Sequence, residues 1–282
     1  MRRRRWSGSR RLRATAAAAT VQLASGPVLS YAARGDRSGP AVVLLPGPTD
    51  SWLSYQGVLE LLPLSIRGLA VSQRGHGDSD KPATGYRIEH FAADAVCFMD
   101  ALGIDKAVLA GHSGSCMTAR RIALDHPARV AGLVLEAAPT TLRASAALQE
   151  FVRTTISTLD DPIDTEFVRG FVADTSSAGL ATGILDRLVR EAAKVPAHVW
   201  REMFAALVDY DDVDELPRLD APTLMLWGTG DSLVSRDMQL HLLDRIARSE
   251  LIEYEAIGHT PRWEAPQRFA ADLENFVDEQ CS

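Results

Sequence analysis

Ala110-Gly111-His112-Ser113-Gly114-Ser115-Cys116 joins a continuous apolar run, Ala107-Val108-Leu109-Ala110, to a helical pattern over residues 115–125. An unbroken apolar run of that length suits a strand buried on both faces. A tight turn between such a strand and a helix lifts its central side chain above the edge of the sheet. Here that side chain is the hydroxyl of Ser113. Backbone crowding demands small residues two before and two after the Ser, and Gly111 and Ser115 meet the demand. Gly- and Ser-rich turns of this kind also cradle phosphates, so the stretch alone leaves two readings open.

Working outward, the same alternation of strand and helix continues. Ala41-Val42-Val43-Leu44-Leu45 is a second buried strand, and Ile66 to Val71, Val130 to Leu135, Pro222 to Trp227 and Leu251 to Ile257 read as further strands. Val21 to Leu23 and Val28 to Tyr31 flank Ser25-Gly26-Pro27, a turn signal between two short strands. Helical periodicity covers 52–62, 87–102 and 235–246, and the final stripe is Phe269, Leu273 and Phe276. The pattern predicts an α/β fold, a mainly parallel sheet covered on both faces by helices. Residues 139–219 break the rhythm with helical periodicity alone and read as an inserted helical cap. The core is then 20–138 with 220–282, and 1–19 form an Arg-rich, disordered leader.

A Ser hydroxyl is a weak nucleophile until a base takes its proton. His259 lies in Ile257-Gly258-His259-Thr260-Pro261, just past the last strand. Asp231 lies in Gly228-Thr229-Gly230-Asp231, just past the preceding strand. Ligands of open α/β sheets bind at those C-terminal strand ends. Singly, Asp231 is also a good helix N-cap and His259 an ordinary loop histidine. Together, the order Ser, Asp, His suits a catalytic set of nucleophile, orienting acid and base. Glu136, at the end of its own strand, is an alternative acid.

These motifs resemble those of the capped α/β-hydrolases, a branch that includes esterases, carbon–carbon bond hydrolases and cofactor-free haloperoxidases. The resemblance spans about residues 20–280 and is supported by Leu44-Leu45-Pro46-Gly47, Arg74-Gly75-His76-Gly77-Asp78-Ser79 and Gly258-His259 followed by Glu264-Ala265-Pro266. It implies a cofactor-free, metal-free serine hydrolase acting on a small carbonyl compound through an acyl-enzyme. A slow-turnover receptor and an acyltransferase of the same fold are the alternatives. Epoxide hydrolases and haloalkane dehalogenases of the branch carry Asp at the elbow, where this chain has Ser113. The resemblance makes His76 and His112 structural.

The resemblance also implies an oxyanion hole, and here the chain departs from the pattern. The Gly114 N–H is one expected donor. The other belongs to the residue after Gly47, which is Pro48 and has no N–H. Either the N–H or hydroxyl of Thr49 replaces it, or the site stabilises an oxyanion poorly. Trp52, Glu136, Trp200 and Phe204 are the expected substrate-binding residues, with Glu136 lining the pocket or anchoring the cap.

Composition removes other functions. Residues 1–19 hold seven Arg and no acid, so without them the formal charge of −7 becomes −14. An acidic body of that size is a poor nucleic-acid binder. No apolar run reaches the roughly 20 residues a membrane span needs. Cys97, Cys116 and Cys281 are an odd, widely spaced set, which fits neither a disulfide framework nor a zinc site and leads to a cytoplasmic expectation. The sequence leaves the oligomeric state open.

Overall fold

A computed structural model of the chain describes residues 16–176 and 180–281. The described residues open with an antiparallel pair, β1 (Ala17–Gln22) and β2 (Val28–Arg34). The pairing takes in Ala17 to Ala19, three residues that composition assigns to the leader. The Arg-rich stretch itself lies outside the described residues. Next come β3 (Ala41–Leu45), α1 (Gln56–Leu61), β4 (Arg67–Val71), α2 (Ile88–Ala101), β5 (Ala107–His112), α3 (Gly114–Asp125) and β6 (Val130–Glu136). Among the described residues, four α-helices follow without a strand: α4 (Ala146–Thr154), α5 (Thr165–Ala173), α6 (Thr182–Ala192) and α7 (Ala197–Asp209). The core resumes with β7 (Thr223–Gly228), α8 (Arg236–Arg245), β8 (Ser249–Tyr254), the short α9 (Pro261–Glu264) and α10 (Pro266–Cys281).

The sheet runs β1-β2-β4-β3-β5-β6-β7-β8. β2 meets β4 antiparallel, and every pair from β4 onward is parallel. The apolar runs are explained by burial on two faces. Val43 and Leu45 of β3 join Leu109 of β5 in a core under α2, α3 and α8, whereas Val42, Leu44 and Val108 join a core under α1 and α10. Successive strand residues point to opposite faces, so both sets must be apolar.

Two sequence expectations shift. The predicted helix over 52–62 begins as a 3-10 turn, Trp52–Tyr55, before α1. The predicted strand over 251–257 is displaced to Ser249–Tyr254, because Ala256 adopts a φ of 59° that no strand accommodates.

The helical insertion has its own apolar contacts, built on Trp200, Phe204, Phe167 and Phe171, with Trp200 and Phe204 stacked at 5.6 Å. One side chain ties down both of its ends. Arg120 of α3, fully buried, bonds Asp212 at 3.0 and 2.8 Å and donates to the carbonyls of Pro139 and Thr140 at 2.8 and 3.1 Å. Both connections of the insertion are thereby pinned to the helix that follows Ser113.

His76 shows how burial couples the fold to pH. Its Nδ1 donates to the Arg74 carbonyl at 2.8 Å, and burial lowers its pKa from 6.5 to about 4. The folded chain keeps the ring neutral, while the unfolded chain protonates it near its ordinary value. Its contribution is therefore complete above that ordinary value and is lost as pH falls towards the folded one. Linkage makes this about 2 kcal/mol between about pH 7.5 and pH 5. Urea unfolding at both pH values should show wild type losing about that much more stability than His76→Gln. Equal losses would refute the assignment.

Candidate active site

β5 ends in a strained turn. Ser113 has φ 53° and ψ −124°, a conformation costing roughly 1–3 kcal/mol that persists only when its surroundings impose it. They do so here. The Ser113 N–H donates to the Glu136 carbonyl at 2.9 Å, and the Cys116 N–H to the Ser113 carbonyl at 2.9 Å. A Cβ on Gly111 would lie 2.6 Å from the Ser115 carbonyl oxygen, so glycine is required there. Ser115 stands where the family pattern has Gly, and its hydroxyl has a job. It donates to the Pro46 carbonyl at 2.6 Å and accepts from Gln73 Nε2 at 2.9 Å, which ties the elbow to the loop after β3.

That loop is a tight turn closed by the Asp50 N–H on the Gly47 carbonyl at 3.1 Å. Pro48 in its second position and Thr49 at φ 71° in its third follow the type II pattern. The Thr49 N–H donates to no other described residue, and neither does the N–H of Gly114 at the start of α3. The Pro48 ring and Leu207 crowd Gly114, where a Cβ would lie 3.2 Å from Pro48 Cγ and 2.6 Å from Leu207 Cδ2.

Asp231 and His259 meet across two loops that a glycine brings together. A Cβ on Gly228 would lie 2.2 Å from the Gly258 carbonyl oxygen. His259 Nδ1 lies 2.8 Å from Asp231 Oδ2, with both side chains buried. The carboxylate accepts the Nδ1–H, which leaves the lone pair on Nε2. Asp231 Oδ1 accepts the N–H groups of Leu233 and Val234 at 2.8 and 3.0 Å, so the carboxylate is held from both sides. His112 supports the same loop by donating from Nε2 to the His259 carbonyl at 3.0 Å. Burial drives its pKa well below the usual histidine value, so the ring is neutral.

Ser113, Gly114, Thr49 and His259 line one cavity of about 470 Å³, roofed by Leu142, Phe151, Phe171, Phe204 and Leu207 from the helical insertion and its connections. Of the expected substrate-binding residues, only Phe204 borders it. Trp52 packs beside the core under α1 and α10, and Trp200 is buried among the aromatic rings of the insertion. Glu136 is fully buried behind the elbow. It accepts from the Tyr55 hydroxyl and the Arg262 N–H, both at 2.9 Å, and does not touch His259. Its side chain therefore neither lines the pocket nor anchors the insertion. Trp263, Leu233 and Met238 do border the cavity, and no sequence pattern singled them out. Among the described residues no three His, Cys, Asp or Glu side chains group as a metal site, and no helix is long and apolar enough to cross a membrane.

The comparisons with known proteins agree with this architecture. A non-heme chloroperoxidase of Streptomyces lividans is 29% identical over 274 residues, covering 92% of this chain and 99% of its own length. 3-Oxoadipate enol-lactonase 2 of Acinetobacter baylyi is 24% identical over 246 residues, covering 86% of this chain and 90% of itself. The crystal structure of the esterase RhEst1 from Rhodococcus sp. ECU1013 superposes with a TM-score of 0.82 at 26% identity, covering 93% of this chain and 99% of that one. The family model described as the alpha/beta hydrolase fold matches residues 40–266, and the chain belongs to that family.

Proposed function

We propose that the chain is a serine hydrolase that cleaves a neutral ester-like small molecule through an acyl-enzyme. The observation that carries the reading is the Asp231–His259 bond of 2.8 Å beside a cavity that Ser113 and His259 share. Ser113 Oγ attacks the carbonyl carbon as His259 Nε2 takes its proton. Asp231 holds the imidazole in the required tautomer and stabilises its positive charge. The N–H groups of Gly114 and Thr49 receive the negative charge on the carbonyl oxygen. His259 returns the proton to the leaving alcohol, then deprotonates the water that releases the acid. No cofactor enters these steps.

The cavity supports a substrate class. Its walls include Leu142, Leu148, Phe151, Phe171, Phe204 and Leu207, and the described lining residues include Asp50 and Asp174 but no Lys or Arg. A carboxylate buried there would lack a partner, which is costly. Steady-state hydrolysis should favour neutral short and medium p-nitrophenyl esters over an ester ending in a carboxylate by at least about tenfold in kcat/KM. The reverse preference would contradict this class.

Pro48 favours a second reading, a small-molecule receptor with little turnover. Ligand-dependent stabilisation without repeated turnover would select it. If instead the Thr49 N–H replaces the missing donor, Thr49→Val keeps kcat within about threefold, since only the hydroxyl is lost. A loss of about 100-fold would assign the role to the hydroxyl. The three free cysteines support a reducing, cytoplasmic setting.

A further inference from the structure

Behind the cavity lies an ionic cluster that the mechanism above does not use. Arg262, fully buried and three residues after His259, donates from Nη2 to Asp50 Oδ2 at 2.6 Å and from Nε to Ser54 Oγ at 2.7 Å. Its Nη1 is 3.3 Å from Glu136 Oε1, which also accepts the Arg262 N–H. The Tyr55 and Trp263 rings flank the guanidinium at 5.2 and 4.5 Å. Each partner belongs to a different part of the site. Asp50 closes the turn that carries Thr49, and the Glu136 carbonyl accepts the N–H of Ser113. The Arg262 backbone continues the His259 loop.

We propose that Arg262 is a positioning residue that clamps the Thr49 turn against the Ser113 and His259 turns, so that the Thr49 N–H meets the reacting carbonyl oxygen. Only a forked cation reaches these partners together. The turn needs such an anchor because Pro48 has removed the usual donor, and the replacement hangs on a residue at φ 71°. Two carboxylates face one guanidinium, so Asp50→Ala leaves Arg262 with Glu136 as counter-ion, while Arg262 Nη2 and the Ser54 hydroxyl, which donates to Asp50 Oδ2 at 3.0 Å, lose their acceptor. The proposal rests on the serine mechanism above.

The test measures kcat, KM and thermal melting for wild type, Asp50→Ala, Asp50→Asn and Arg262→Lys on a neutral p-nitrophenyl ester, with Ser113→Ala alongside. Asp50→Ala should melt below wild type but stay folded at the assay temperature, and there lose about 100-fold in kcat, the scale of an approximately 1 Å misplacement, with KM within about threefold. Asp50→Asn keeps the acceptor and should recover most of that loss. Arg262→Lys keeps the charge without the fork and should lose at least about tenfold in kcat at unchanged KM. Wild-type kcat in Asp50→Ala, or equal losses in Asp50→Ala and Asp50→Asn, would overturn the clamp. If Asp50→Ala does not fold, wild-type kcat in folded Arg262→Lys overturns it equally. Turnover undiminished in Ser113→Ala would sink the serine reading instead, whatever the Asp50 variants do.

Discussion

Ser113→Ala is expected to lower kcat by about 10⁶-fold while leaving the fold and the cavity in place. The substitution removes one oxygen from a side chain that makes no hydrogen bond to another described residue. The elbow is held by backbone bonds from Ser113 to Glu136 and Cys116, which Ala retains. Ala accepts the φ of 53° no worse than Ser does. Residual catalysis of about 10³–10⁴ over water should persist, because the oxyanion donors and the apolar cavity remain. Thermal melting matched to wild type, together with steady-state rates, checks both halves. A loss of rate explained by loss of folded protein would not support the mechanism.

Asp231→Asn should lower kcat by about 10⁴-fold, whereas Glu136→Gln should cost about tenfold or less. An Asn at position 231 can still accept the N–H groups of Leu233 and Val234 through one oxygen. Its amide then faces His259 Nδ1 and favours the wrong imidazole tautomer. Glu136 is in a different position. Its carboxylate bonds Tyr55 and Arg262, and Gln offers a similar shape to both. Comparing the two variants at one pH decides the acid, and a larger loss in Glu136→Gln would move that role away from Asp231.

Much of this arrangement is legible in the chain, for physical reasons. Strands buried on both faces must be unbroken apolar runs, so Ala41–Leu45 and Ala107–Ala110 announce a parallel sheet. Ser113, Asp231 and His259 are each read from the same feature, a turn at a C-terminal strand end, and parallel strands bring such ends together. What stays hidden depends on direction in space. Trp200 and Phe204 share one face of α7, yet only Phe204 borders the cavity, since Trp200 is enclosed by Phe167 and Phe171. Glu136 sits at a strand end like the others but turns behind the elbow, where Arg262 draws it. The anchors Arg120–Asp212 and Arg262–Asp50 join residues 92 and 212 positions apart, and no local pattern encodes such a pairing. The end of β8 is not legible in the sequence, because a positive φ at Ala256 leaves no mark on residue type.

The central claim is a covalent bond between Ser113 and the acyl group. Protein quenched during turnover of a neutral p-nitrophenyl ester, digested and analysed by mass spectrometry, tests it most directly. The mechanism predicts the acyl mass on the peptide containing Ser113, appearing with the first release of p-nitrophenol and absent from Ser113→Ala. Sustained turnover with the acyl group on another residue, or undiminished in Ser113→Ala, would contradict it.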